Sequence, residues 1–334
     1  MAPVLIRVRP LTEPDIEPLL RFAAGYYGPD SHQARRTRFE WLYRDNPLSL
    51  GPSKDVLVAV TGDGDVVGCH WKTRLAWRFH GQRVVIPSCH DLAILPEYRQ
   101  GQGLQLILAG LAGEERAALL GLSPQSEGIY ARMRCPEVPM VRLQKVLSYA
   151  RTALGMTGLS RCRPKPGLAW RNKAIPVVAT ALPDDPLLGA ALLVPTAGDG
   201  SLEWTLETFR WRFFHPHGPA HVLVLVGDAA APIGRAVFSY GQRRGAVMAR
   251  LVDVAAADAA ALAPVLAATE KAMRRLGVAV ATAATTSQPA LEWFSTHGWK
   301  PQHGVSARFF LRRQEPLTIA GIWGGSYDYG YDAN

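Results

Sequence analysis

Apolar and polar residues alternate with a period of two through "VLIRVRPL" (Val4 to Leu11), which predicts a strand. In "TEPDIEPLLRFAAGYYG" the pattern lengthens to a helical one, with Thr12 placed to cap the helix start and Pro14 inside its first turn. "RFEWLYRDNP" predicts a second, short helix that Asn46-Pro47 ends. The run from Val56 to Ser88 predicts a meander of strands, turning at Gly62-Asp63-Gly64 and at Gly81. "SCHDLAIL" is a further strand, followed by the Gly-containing loop "RQGQGLQ" and an apolar helix. Meander strands leading into strand-loop-helix predict an α/β chain.

Between residues 156 and 200 the composition turns rich in Pro, Gly and Asp, which marks a connecting region. Beyond it the order of features repeats. Phe39-x-Trp41 is echoed by Phe209-x-Trp211, Gly68 by Gly234, and Asp91 in "CHDLAI" by Asp253 in "LVDVAA". The offset shrinks slightly at each match, as small loop deletions in a second copy would make it. The expected organisation is therefore a domain over 1–155, a connection over 156–200 and a second, related domain over 201–334. After Asp253 the second copy has a helix but no Gly-rich basic loop before it.

Composition narrows the functional classes. The 334 residues are 48% apolar and carry a formal net charge of +9, so a folded chain with anionic partners is expected. No Lys/Arg run marks a basic arm; the densest cluster, "HQARRTRFEW", is short. The four cysteines, Cys69, Cys89, Cys135 and Cys162, form no C-x-x-C pair and are expected to be reduced. With no secretory h-region and no apolar run of about 18 residues, a cytoplasmic protein is expected.

"RQGQGLQ" offers Gly101, Gly103, the charge of Arg99 and a helix start, the ingredients of a backbone cradle for phosphate. No Gly-Lys-Ser/Thr follows and G-x-G-x-x-G is absent, so neither a Walker loop nor a dinucleotide fingerprint fits. A phosphate cradle and a plain turn both remain open on these grounds.

"LAILPEYRQGQGLQLIL" resembles the acyl-CoA-binding motif of the GCN5-related N-acetyltransferase (GNAT) superfamily, with Gln100-x-x-Gly103-x-Gln105 the matching core. Its last position departs from the usual Gly or Ala, and the loop is one residue longer than the common form. "EWFSTHGWKP" resembles a later helix-turn-strand step of the same superfamily, in the second copy. The resemblance implies two tandem GNAT-like domains, each a mixed, largely antiparallel sheet flanked by helices, the second degenerate. It further implies acetyl-CoA or a longer acyl-CoA as co-substrate and an amine of a small molecule or peptide as acceptor. The amine would attack the thioester directly, with a general base and no metal. The pantetheine arm would pair with Leu92, Ala93 and Ile94. The pyrophosphate would rest on Arg99, Gln100, Gly101, Gln102, Gly103, Leu104 and Gln105.

For catalysis the candidates are His90 and Asp91, just before the pantetheine segment, with strand alternation placing them on opposite faces. Tyr130 and Tyr149 are candidate acids, and Glu137 a further base. Cys89 lacks a nucleophile's companions and reads as a small buried residue. His215 and His217 in "HPH" read as a loop, not as metal ligands. Trp71 and Trp77 lie on meander strands and read first as core. The tail "WGGSYDYGYDAN" reads as a surface terminus. Two other readings are open: transfer of an aminoacyl group from tRNA by a tandem GNAT-like enzyme, and a GNAT-like module that binds without catalysis.

Overall fold

The structure is a computed structural model that describes residues 6–99, 101–120, 122, 124–156, 168–172, 175–195, 200–243, 245–302, 305–312 and 323. In chain order these form β1 (Ile6–Pro10), α1 (Ile16–Tyr27), α2 (Arg36–Tyr43), α3 (Pro52–Asp55), β2 (Val56–Thr61), β3 (Val66–Phe79) and β4 (Gln82–Ile94). Next come α4 (Gln102–Leu111), β5 (Arg116–Leu120), α5 (Pro124–Arg132), β6 (Glu137–Val146), α6 (Tyr149–Met156), β7 (Leu168–Asn172), β8 (Ile175–Thr180), α7 (Leu187–Ala191) and β9 (Ser201–Leu202). The remainder is α8 (Leu206–Phe214), β10 (His221–Asp228), β11 (Ala231–Arg243), β12 (Ala246–Ala256), α9 (Ala259–Arg275), β13 (Val280–Thr285), α10 (Gln288–Thr296), β14 (Lys300–Pro301) and β15 (Val305–Leu311).

Two compact units emerge. The first comprises 1–76, 85–138 and 306–316; the second comprises 77–84, 139–305 and 317–334. The stretch expected to be a connection carries β7, β8 and α7, and β8 pairs with β10 inside the second unit. Its Pro and Gly residues punctuate short elements, which composition alone does not separate from a linker.

In the first unit β1, β2 and β3 run antiparallel, and β4 joins β5 in parallel. Thr12 stands ahead of α1, its N–H and its hydroxyl both donating to Asp15 Oδ2, at 2.8 and 2.5 Å. Strand β3 is buried on both faces. Its odd positions Cys69, Trp71 and Thr73 lie towards α2, where Phe39 and Tyr43 pack edge-on against Trp71. Its even positions lie towards α4: His70 Nδ1 bonds Leu106 O at 3.2 Å, and Lys72 and Arg74 both reach Glu114. Arg74 also pairs with the fully buried Asp55 at 2.8 Å. A side chain at Gly110 would collide with the His70 ring, so only glycine lets α4 lie this close to β3.

The second unit repeats the strand order. β10, β11 and β12 form an antiparallel meander, and β12 joins β13 in parallel across α9. The echoed glycines meet similar surroundings. A Cβ on Gly68 would lie 2.9 Å from the carbonyl oxygen of Ala93, and one on Gly234 would lie 3.0 Å from that of Ala255. Each alanine stands two residues after its matched aspartate, Asp91 or Asp253.

Candidate active site

Among the described residues the parallel ladder between β4 and β5 holds Ser88 with Ala118 and Cys89 with Leu119, although β4 continues to Ile94. An irregular residue stands two positions after the last pair. Asp91 has φ of +47°, in the left-handed region that non-glycine residues seldom occupy, and there the pleat breaks. Among the described residues Leu92, Ala93 and Ile94 form no ladder pair with β5, which leaves a wedge along one edge of β4. The second unit diverges at the matching point: the β12–β13 ladder ends at Leu251, two residues before Asp253.

The broken pleat corrects one sequence expectation. His90 and Asp91 do not point to opposite faces; His90 Nδ1 bonds Asp91 Oδ2 at 2.9 Å, with side chains 8% and 9% exposed. On its other side His90 Nε2 meets the Thr73 hydroxyl at 2.7 Å. Asp91 is held in turn by Arg38 Nη2 at 2.6 Å and by Gln33 Nε2 at 3.4 Å. Burial by itself would raise the Asp91 carboxyl, but the Arg38 charge and the His90 bond overcome it and hold the group far below the carboxylate range. Burial lowers the His90 imidazole, only partly offset by Asp91, so the ring is neutral near pH 7. With the ring neutral, Nδ1–H donates to Asp91, and Nε2 accepts from Thr73. The result is a hydroxyl–imidazole–carboxylate chain, the arrangement that moves a proton.

Sequence reading missed Thr73, Arg38 and Gln33. Arg38 and Gln33 lie 53 and 58 residues from Asp91, and no local pattern links them. The one usable signal was the Arg38 charge inside the amphipathic α2, where it is buried.

Past the wedge, Gly101 takes φ of +85° and N-caps α4 without any side-chain hydrogen bond. Gln105 N bonds Gly101 O, so the N–H groups of Gln102, Gly103 and Leu104 precede the first helical bond. No acidic residue stands in that first turn. Arg99 folds back, its Nε donating to Ile94 O and its Nη2 to the Tyr26 hydroxyl, both at 3.3 Å. Gln100 lies outside the described residues. In the second unit the equivalent helix α9 is capped by Asp258, whose carboxylate accepts from Ala261 N at 2.8 Å. That carboxylate occupies the position an anion would take.

The remaining candidates fall elsewhere. Tyr130 is 2% exposed and packs with Cys89, Ile107, Leu111 and Leu119, and burial raises its hydroxyl well above the ordinary range. Tyr149 opens α6 in the second unit and is 79% exposed. Glu137 is exposed and pairs with Arg308 at 2.9 Å. Burial pushes the Cys89 thiol up to about 12, which leaves no thiolate at neutral pH. Trp71 and Trp77 are core residues. His215 and His217 lie in the turn after α8. Cys162 and the Tyr/Asp tail lie outside the described residues.

No family model matches the sequence, and no curated protein does. Solved structures do. A GCN5-related N-acetyltransferase from Anabaena variabilis aligns over 92% of this chain and 73% of its own, with TM-score 0.61 at 13% identity. N-myristoyltransferase from Saccharomyces cerevisiae, solved with myristoyl-CoA bound, aligns over 95% of this chain and 82% of its own, with TM-score 0.61 at 11% identity. A GCN5-related N-acetyltransferase from Kribbella flavida aligns over 92% and 72%, with TM-score 0.56 at 18% identity.

This chain has the GNAT fold.

At these identities the likeness carries the fold and no residue roles. Among the described residues no helix is long and apolar enough to cross a membrane, and no group of three or more His, Cys, Asp or Glu residues could hold a metal ion.

Proposed function

We propose that the chain is an acyl-CoA-dependent N-acyltransferase whose working site lies in the first unit, the second unit being a degenerate copy. The observation that carries this reading is the contrast between two equivalent helix starts. α4 begins at a left-handed glycine with no side-chain cap, whereas α9 begins under its own carboxylate. An anion placed before α4 meets three N–H groups ahead of the first helical bond and the positive end of the helix dipole.

In this reading the pyrophosphate of coenzyme A sits on the amides of 100–105, and the pantetheine arm pairs with Leu92 to Ile94. The thioester then lies beside the Asp91 bulge. The amine nitrogen attacks the thioester carbonyl, forming the C–N bond as the C–S bond breaks. Its proton passes through the Thr73 hydroxyl to His90 Nε2 and ends on the departing sulfur. Asp91, fixed by Arg38 and Gln33, orients the imidazole and stabilises its charged form. The similarity to N-acetyl- and N-myristoyltransferases supports acyl-CoA as donor and leaves both acetyl and longer chains as substrates.

Thermal unfolding with coenzyme A, acetyl-CoA and myristoyl-CoA is the test of binding; a rise in midpoint with at least one is expected, and no rise with any ends this reading. Turnover on an amine panel should fall about a hundredfold or more in Thr73→Val, which keeps the shape and removes the hydroxyl, and recover in Thr73→Ser. An unchanged rate in Thr73→Val would remove the relay.

A further inference from the structure

The second unit contains a cavity of about 420 Å³, a size suited to a small molecule. Arg78, Leu192, Val194, Glu203, Trp204 and Arg235 stand on its wall, all of them residues of that unit. The ladder of β3 with β9 sets Arg78 opposite Ser201, two residues before Glu203, and Arg78 Nη2 lies 3.2 Å from Glu203 Oε1. Arg235 comes from β11, one residue after Gly234; the first unit has Cys69 at the matching place, one residue after Gly68. A guanidinium inside a sheet, where the other copy has a thiol, is costly unless each N–H finds a partner.

Arg235 meets only part of that requirement. Its Nη1 donates to Ala191 O at 3.0 Å and to Val194 O at 2.9 Å, and its Nε to Asp253 Oδ2 at 3.4 Å. Its Nη2 bonds no described residue and is not closed to water, although the side chain as a whole is 2% exposed. A buried side chain on a cavity wall with one nitrogen open reaches water or a ligand through that cavity. The neighbouring carboxylates are engaged or shut in. Glu203 gives Oε1 to Arg78 and its Oε2 is closed to water, while Asp253 is held by Trp204 Nε1 and Arg235. The charged wall thus offers donors, not acceptors, and two positive charges against one negative. Burial raises the Asp253 carboxyl, so behind Arg235 it is a weaker counter-ion than Asp91 is for Arg38.

We propose that this cavity binds a small carboxylate with a compact apolar body. The carboxylate bonds Arg235 Nη2, and the body lies against Trp204, Leu192 and Val194. Arg78, whose side chain is 39% exposed, supplies the second positive charge and draws the anion in. A dianion would exceed the one unmatched positive charge of the wall, a cation would add to it, and a neutral apolar molecule would leave Nη2 unmet. The site does not depend on the acyl-transfer reading above, which uses side chains of the first unit alone.

Isothermal titration of the full chain with benzoate, hexanoate and indole-3-acetate, each beside its amide and beside inorganic phosphate, tests the site. At least one carboxylate is expected to bind about tenfold or more tighter than its amide and than phosphate. Arg235→Met, which keeps the length and removes the charge, is expected to lose that binding while still unfolding cooperatively. Arg78→Gln, at the more exposed group, is expected to weaken it severalfold at low salt and less at high salt. Should Arg235→Met fail to fold, Arg78→Gln decides. No binding of any carboxylate, equal binding of acids and amides, or unchanged affinity in the folded variants would overturn the proposal. Binding of phosphate as tight as that of the carboxylates would overturn the assigned class. The titrations contain no coenzyme A, so their outcome stands apart from that of the donor site.

Discussion

At the scale of single residues, burial decides which groups can carry a proton. His70 is fully buried beneath α4, its Nδ1 bonded to Leu106 O and its Nε2 without a partner. Burial lowers its pKa to about 4, against about 6.5 in an unfolded chain. Below pH 6.5 the unfolded state binds the proton and the folded state does not, so stability present above that pH is lost as pH falls towards 4. His70→Asn keeps a donor near the Nδ1 position and cannot titrate. Urea unfolding at pH 7 and at pH 4.5 should show the native chain losing about 2 kcal/mol more than the variant between the two conditions. An equal loss in both would show that His70 is not the group responsible. Thr73, further along the same strand and on its other face, uses burial for another end: it ties the neutral His90 ring into a single tautomer. Little of this was legible in the sequence. His90 and Asp91 were, because a titratable pair before the loop stands out. Their mutual bond was not, because a left-handed aspartate inside a strand has no local signature, and Thr73 became visible only once β3 and β4 were side by side.

At the scale of elements, the loop before α4 is legible from its glycines, and the two glycines prove to do different work. Gly101 needs its left-handed φ, so any side chain there strains the backbone although the space around it is open. Gly103 has ordinary backbone angles, and nothing lies within 4 Å of where its Cβ would stand, so a side chain there costs the fold little. It would, however, occupy the space in front of the helix amides. Gly103→Leu is therefore expected to change the unfolding midpoint by no more than a few degrees and to abolish the coenzyme A shift. Gly101→Val is expected to lower the midpoint as well as the shift, by about 1–2 kcal/mol of stability. A Gly103→Leu chain that still shows the full coenzyme A shift would remove the loop from the donor site. The strands and helices themselves were legible because their periods are clean. The region from 156 to 200 was not, since β7, β8 and α7 are short and the Pro and Gly around them imitate a linker.

At the scale of the whole molecule, the repeated features give a count of sites. The echoes of Gly68, Asp91 and the Phe-x-Trp pair were visible because they keep their order, and they fall on β3 and β11, on β4 and β12, and on α2 and α8. Among the described residues the third meander strand of each unit makes its last pair with its parallel neighbour two residues before the matched aspartate. Two wedges would give two donor sites if the wedge were enough. The helix starts argue otherwise. Asp258 already satisfies an amide of α9 and sets a negative charge at its N-terminus, which repels a pyrophosphate at the place where α4 would attract one. The charges beside the two aspartates differ too: Asp91 is held ionised by Arg38 and joined to an imidazole, whereas Asp253 is raised by burial despite Arg235 and has Trp204 as its other partner. Isothermal titration with coenzyme A should therefore give one site per chain. Gly103→Leu should reduce that to none, and Asp258→Ala, which uncaps α9, should leave the native count at one unless the cap alone closes the second wedge, in which case a weaker second site appears. A native stoichiometry of two would overturn the division of labour between the units, because it would mean that a helix capped by its own carboxylate can hold a pyrophosphate as well as an open one.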